Sequence, residues 1–315
     1  MSLFAKPPRD ASLLGAGPLF APPPPAPRSG AALRFAVLAS SSSGNASVLV
    51  ADTPRGRRQI LLDAGLSPRA ARAALAALGL RLEDTAAILF THFDHDHAKA
   101  SWAGVAKATG LRLACARAHR RAAVERGYPD GALVHFDPDR GAFDLDGLRV
   151  TPCENPHDDG VTIAFRIESE AGELGYATDL GRGHDALVST LRGVGVLAIE
   201  SNYDPAMQLA SARPDFLKRR IMGGAGHLSN AECADLVARI ATDAPPEHIV
   251  LLHLSRQCND PALVRALWRA RLPHLAGRLA IARHDAPIGP VGLGADSAAT
   301  REPTAGTDRA GGARR

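Results

Sequence analysis

An apolar strand, Ala87–Phe90, runs directly into Thr91-His-Phe-Asp-His-Asp-His97. Five of those seven residues carry an imidazole or a carboxylate, the ligand types that suit zinc, manganese and iron. A loop that follows a buried strand has its backbone fixed while its side chains stand at the sheet edge. The same residues would also suit a solvated acidic loop. What favours a site is that later strands stop in the same manner.

Three of them do so. His157 lies in Asn155-Pro-His-Asp158, beyond the strand pattern Leu148–Pro152. Asp179 follows Glu173–Ala177, and His253 follows His248–Leu252. A lone polar residue at a strand end is ordinarily a surface or capping group, so the shared position is what carries the reading. Further strand patterns are Phe35–Ala39, Ala46–Ala51, Gln59–Leu62, Val161–Ile167 and Val194–Ile199. Helical patterns cover Ser67–Leu78, Ala98–Thr109, Ser229–Ala241 and Pro261–Arg271, with Ser67 as an N-cap. The mixture predicts an α+β protein with sheets covered by helices.

The ends differ in composition. Residues 1–32 are rich in Pro and Ala, with Pro22–Pro25 in a row, and residues 285–315 are dominated by Gly, Ala, Thr and Arg. Such segments bury too little apolar surface to offset ordering, so both are expected to be disordered tails around one domain at 33–284. The formal charge of +4 is small for 315 residues and neither establishes nor opposes a nucleic-acid partner. Cys115, Cys153, Cys233 and Cys258 form no C-x-x-C pair, which excludes a zinc ribbon or thioredoxin-type motif. Neither a membrane span nor a secretory signal is visible, so the expected location is cytoplasmic.

Taken in order, these residues resemble the metallo-β-lactamase superfamily, whose hallmark is H-x-H-x-D-H followed by a distant His, Asp and His. The likeness is nearest to the YycJ/WalJ branch, related to tRNase Z and β-CASP nucleases. It rests also on Ser40-Ser-Ser-Ser-Gly-Asn45, Leu62-Asp-Ala-Gly65, Glu200-Ser-Asn-Tyr-Asp204, Gly226-His-Leu-Ser-Asn230 and His253-Leu-Ser-Arg-Gln-Cys-Asn259. It spans about Arg34 to Leu272. The hallmark's second His falls on Asp94, with His95 beside it on a position the family does not use for metal. A carboxylate there tilts the site towards manganese or iron, or leaves one metal weakly held.

The resemblance implies a four-layer αββα sandwich and two divalent metal ions (zinc, manganese or iron). His92, Asp94 and His157 would hold one; Asp96, His97 and His253 would hold the other; Asp179 would bridge. The implied chemistry is hydrolysis by hydroxide activated between two metals, with Asp96 orienting it. Glu200 and His227 match the points where related nucleases place an acid pair that protonates a poor leaving group. The expected activity is that of a phosphodiesterase or nuclease, resembling a DNA exonuclease, with nucleic acid as substrate. Two alternatives stand beside it: a hydrolase of small thioesters, lactones or phosphate esters, and a metal-binding regulatory protein without catalysis. Asp63 is expected to brace the loops. The Ser40–Asn45 turn reads as a strand connection, Asn202 and Ser229 as candidate phosphate contacts, and Lys218-Arg219-Arg220 as either a nucleic-acid contact or a solvated helix face.

Overall fold

The structure, a computed structural model, describes residues 30–158, 160–284 and 286–294. Most of both expected tails therefore lies outside the described residues.

Parity along the strands explains the layering. In the strand Gly56–Leu62, Ile60 and Leu62 face one way and Leu61 the other. In Val196–Glu200, Val196 and Ala198 are set against Leu197 and Ile199. Successive side chains of a strand point to opposite faces, so a continuous apolar run builds two interfaces at once. One set forms a core between two sheets, with Phe35, Leu49 and Leu89 meeting Phe165, Tyr176 and Leu252. The other sets lie under helices on the two outer faces, one around Trp102 and Leu75, the other around Trp268 and Val237. The result is the expected αββα sandwich of the metallo-β-lactamase fold.

The first sheet contains β1 (Ala32–Ala39), β2 (Ala46–Thr53), β3 (Gly56–Leu62), β4 (Thr85–Leu89), β5 (Arg112–Ala116) and β6 (Leu133–Phe136). The second contains β7 (Phe143–Leu145), β8 (Leu148–His157), β9 (Gly160–Ser169), β10 (Gly172–Ala177), β11 (Val196–Glu200), β12 (His248–Leu252) and β13 (Leu279–Ile281). A last strand, β14 (Ile288–Gly294), returns to the first sheet, giving the orders β14-β1-β2-β3-β4-β5-β6 and β13-β12-β11-β10-β9-β8-β7. Because β8 and β10 flank β9 antiparallel and β11 and β12 continue parallel to β10, all four end at one edge of the sheet. His157, Asp179, Glu200 and His253 are thereby delivered to the same side.

β14 corrects the expected boundary at 285. It pairs antiparallel with β1, Ala32 opposite Gly294 and Leu33 opposite Leu293. Its glycines read as disorder in sequence, yet Leu293 is buried in the inter-sheet core. It fits there because Gly172 and Gly195 lack side chains: a Cβ on either would lie 2.7 and 2.5 Å from Leu293 Cδ1. His157 closes β8 instead of following it, since the strand runs five residues past Pro152. Among the described residues, no helix is long and apolar enough to cross a membrane.

Candidate metal centre

The strand ends converge on a buried cluster of imidazoles and carboxylates. Groups of possible ligands with their atoms within 4.8 Å of one another are His92, Asp94 and His157; Asp96, His97 and His253; and His92, His97 and Asp179. A fourth such group joins Asp179, Glu200, His227 and His253. Every one of these residues stands among the candidates expected from the sequence, and the fold brings them together. His95 is exposed, with Nδ1 3.1 Å from Lys99 Nζ, and takes no part.

Each histidine of the expected ligand set is oriented through Nδ1. His157 Nδ1 lies 2.9 Å from the Gly226 carbonyl, which can only accept, so Nδ1 carries the proton. His97 Nδ1 donates likewise to Asp63 Oδ2 at 2.9 Å. The Thr91 hydroxyl donates to Asp63 and accepts from His92 Nδ1 at 2.9 Å. His253 Nδ1 faces the carboxylates of Asp179 at 3.1 Å and Glu200 at 3.2 Å. All four Nε2 atoms consequently point inward. They lie 3.8 Å from Asp94 (His92), 3.0 Å from Asp179 (His97), 3.8 Å from Asp179 (His157) and 3.8 Å from Asp96 (His253). An inward Nε2 facing a carboxylate calls for positive charge between them, which a proton or a metal ion can supply. His253 Nε2 is also buried without a hydrogen-bond partner. Inward Nε2 atoms, each fixed by a hydrogen bond on the opposite nitrogen, are the arrangement that divalent metals require. The residues fit a metal centre.

Backbone strain supports it. Asp63, Asp179 and His253 have φ of 60°, 54° and 56°, a left-handed conformation that costs a residue with a side chain about 1–2 kcal/mol. The surrounding bonds hold it. Asp63 accepts from Thr91 N at 2.8 Å, Thr162 Oγ1 donates to the Asp179 carbonyl at 2.9 Å, and His253 N donates to Ser40 Oγ at 2.7 Å. Ser40 and Asn45 therefore do more than turn the chain. Asn45 Nδ2 lies 3.1 Å from Asp96 Oδ2 and 2.9 Å from His97 Nε2. Gly65 lets this turn close: a Cβ there would sit 1.8 Å from the Asp96 carbonyl oxygen and 2.4 Å from Asn45 N.

Residues 58–254 match the family model of the beta-lactamase superfamily domain. The chain belongs to the beta-lactamase superfamily. Among curated relatives it is 30% identical over 244 residues to a Bacillus anthracis protein named exodeoxyribonuclease YycJ, covering 74% of this chain and 86% of the relative. It is 29% identical over 236 residues to exodeoxyribonuclease WalJ of Streptococcus pneumoniae, covering 72% and 83%. Among solved structures, the metallo-beta-lactamase fold protein YhfI of Bacillus subtilis superposes with a TM-score of 0.61 at 16% identity, covering 82% of this chain and 99% of that one. The last likeness is one of fold.

Within this superfamily member the histidines of the cluster differ in their hold on a proton. Burial opposes a proton on His253, but the Asp179 and Glu200 carboxylates lift it to about 10. His97 is likewise raised against burial by Asp179 and Asp63. Asp179 stays well below the carboxylate range despite burial, held there by His253 and His97. His92 is pushed well below its ordinary value by burial and by neighbouring His97. A metal would replace the protons on His97 and His253.

Beside the cluster, Glu200 closes β11 fully buried. Its Oε2 accepts from Leu180 N at 2.7 Å, and its Oε1 accepts from His227 Nδ1 at 2.7 Å. Burial disfavours the charged imidazole, but Glu200 outweighs it and raises His227 above its ordinary value. Asn202 and Ser229 are engaged elsewhere. Asn202 Nδ2 donates to the His253 carbonyl at 2.7 Å, and Ser229 closes a capping box with Glu232 at the start of the helix Asn230–Ile240.

Proposed function

We propose that this protein is a metal-dependent nuclease that hydrolyses DNA phosphodiesters, using two divalent ions and an acid pair formed by Glu200 and His227. The observation that carries the reading is the 2.7 Å bond from His227 Nδ1 to a wholly buried Glu200, beside Asp179 and outside the minimal ligand set. The curated relatives, named as exodeoxyribonucleases, support it. His92, Asp94 and His157 would hold one ion, Asp96, His97 and His253 the second, with Asp179 between them. When bound, zinc, manganese or iron would supply Lewis acidity and a nucleophilic water at neutral pH.

The chain's own residues do the rest. Asp96, tied to Asn45, is placed to orient the attacking water. Glu200 fixes the imidazole of His227 and favours its protonated form, and Nε2 is the nitrogen left to give a proton to the departing alkoxide. His227 keeps 19% of its side chain exposed, so a substrate can reach it.

A leaving-group comparison tests this. His227→Ala should retain metal yet lose on the order of a hundredfold in rate on DNA. Its loss on bis(4-nitrophenyl) phosphate, whose leaving group needs no proton, should be much smaller. Equal losses reject the acid role. Metal-loaded protein that cuts no nucleic acid but turns over a thioester or lactone rejects the nuclease reading.

A further inference from the structure

Three of the sequence motifs open on a residue of the cluster and continue to a buried polar residue outside it. Glu200 leads to Ser201, His227 to Asn230 and His253 to Asn259. These three polar side chains meet. Ser201 Oγ donates to Asn230 Oδ1 at 2.7 Å. The amides of Asn230 and Asn259 bond reciprocally, each Nδ2 donating to the other's Oδ1 at 2.9 Å. Asn259 Nδ2 also reaches the carbonyls of Ser201 at 3.0 Å and Asn202 at 2.9 Å, and Asn259 Oδ1 accepts from Asp260 N at 2.9 Å. Every polar atom of the two amides thus has a partner inside the protein.

The location of this network is informative. The β11–β12 ladder stops where Glu200 lies opposite Leu252. Beyond that point the acid pair and His253 are carried on three separate loops. Ser201 follows Glu200 directly, Asn230 lies three residues beyond His227, and Asn259 lies six beyond His253. Backbone bonds join the loops in part: Asn202 N donates to the Leu228 carbonyl at 3.0 Å and Ser255 N to the Asn202 carbonyl at 2.7 Å. Apolar side chains could fill the space between them and would tolerate sliding. A buried network of directional bonds, each atom satisfied, admits one arrangement.

We propose that Ser201, Asn230 and Asn259 form a positioning clamp that sets the Glu200–His227 pair against the metal centre, and so governs proton delivery to the leaving group without touching substrate. The proposal rests on the acid-pair reading and adds to it the residues on which the pair's geometry depends. The leaving oxygen stands where the metal centre holds the phosphate, and His253 belongs to that centre. His227 must meet the oxygen from a different loop. A misplacement of about 1 Å between such groups can cost about a hundredfold in rate.

Steady-state cleavage of an oligonucleotide, measured beside bis(4-nitrophenyl) phosphate, tests it with metal-loaded full-length protein. Metal content and thermal melting are recorded for each variant, since a merely structural role would move these alone. Asn230→Ala should lower kcat on DNA about tenfold with KM unchanged, a part of what full misplacement costs. Turnover of the activated diester should stay nearly the same. In a His227→Ala background the same substitution should cost nothing further, because displacing the acid has no effect once the acid is gone. Ser201→Ala removes one bond and leaves the amide pair; it should show a smaller loss of the same kind, and it decides the matter if Asn230→Ala does not fold. Unchanged kcat on DNA overturns the proposal. So does an equal loss on both substrates, or a full loss in the His227→Ala background, either of which would mean that the network serves the metal or the fold and not the acid. If His227→Ala alone loses equally on both substrates, the acid-pair reading has failed, and the clamp has nothing to position.

Discussion

The two halves of the metal cluster are built from similar residues but are not held equally. Asp96, His97 and His253 are braced from every side. Asp63 holds His97, Asn45 holds Asp96, and Ser40 holds the backbone of His253. In the other half, Thr91 orients His92 and Gly226 orients His157, but the Asp94 side chain is 60% exposed. The braced half is a preformed cage with a standing need for positive charge. The other half has two fixed walls, and Asp94, its proposed third ligand, would have to be ordered when a metal binds. Ordering a ligand at binding costs affinity, so the half containing Asp94 is expected to release its ion first.

The largest effect should come from the residue the halves share. Asp179→Ala removes the carboxylate that faces His97, His157 and His253 together. Both ions should be lost on dialysis, as read by elemental analysis, with activity abolished; retention of one full equivalent would mean that the halves are independent. Next is Asp63→Asn, which discharges the support of His97. It should weaken the ion on His97 by about ten- to hundredfold, as outer-layer changes commonly do, and the ion on His92 by less, because Asp63 reaches that histidine only through the Thr91 hydroxyl. Equal loss from both halves would break the comparison.

A pH series sharpens it. In the metal-free protein the Asp179 and Glu200 carboxylates push His253 up to about 10 and His97 is also raised, so at pH 7 both hold a proton that an incoming metal must displace. Affinity in the braced half should therefore climb as pH rises towards about 10, by up to about tenfold per unit for each proton released. His92 is already neutral well below pH 7 and imposes no such slope on its half. Parallel slopes for the two ions, measured by competition with a chelator, would remove the distinction. The smallest effect is local: Asp94→Ala should weaken a single ion by about tenfold, and His95→Ala should leave both unchanged. The reverse outcome would place the ligand one residue later in the loop.

The strand ends were legible because they combine two signals, apolar runs and polar stops. β12 and the helix Pro261–Arg271 have the bounds the sequence implies, the helix because Asp260 caps it and Pro261 opens it. The strands β5 and β6 and the short helix Arg120–Glu125 escaped notice. At five, four and six residues they are too short for a period to stand out from their surroundings. Ser40 and Asn45 were visible as a motif but read as a turn. Nothing local announces that Ser40 will accept a hydrogen bond from a residue 213 positions away. β14 was hidden by its glycines, whose value appears only against Leu293 and the positions it fills.

That seam has a consequence for how the chain is made. β1 leaves the ribosome with one edge matched to β2, but the strand for its other edge follows about 250 residues later. At roughly 5–20 residues per second, that edge waits more than about ten seconds for its partner. Throughout the delay, Leu33, Phe35 and Val37 sit on an open edge of the kind that pairs with any passing strand. Every candidate ligand, His253 included, has been synthesised before the wait ends. Binding metal early would organise the cluster while the sheet is still unsealed, so yield of folded protein during synthesis should depend on how quickly β14 arrives.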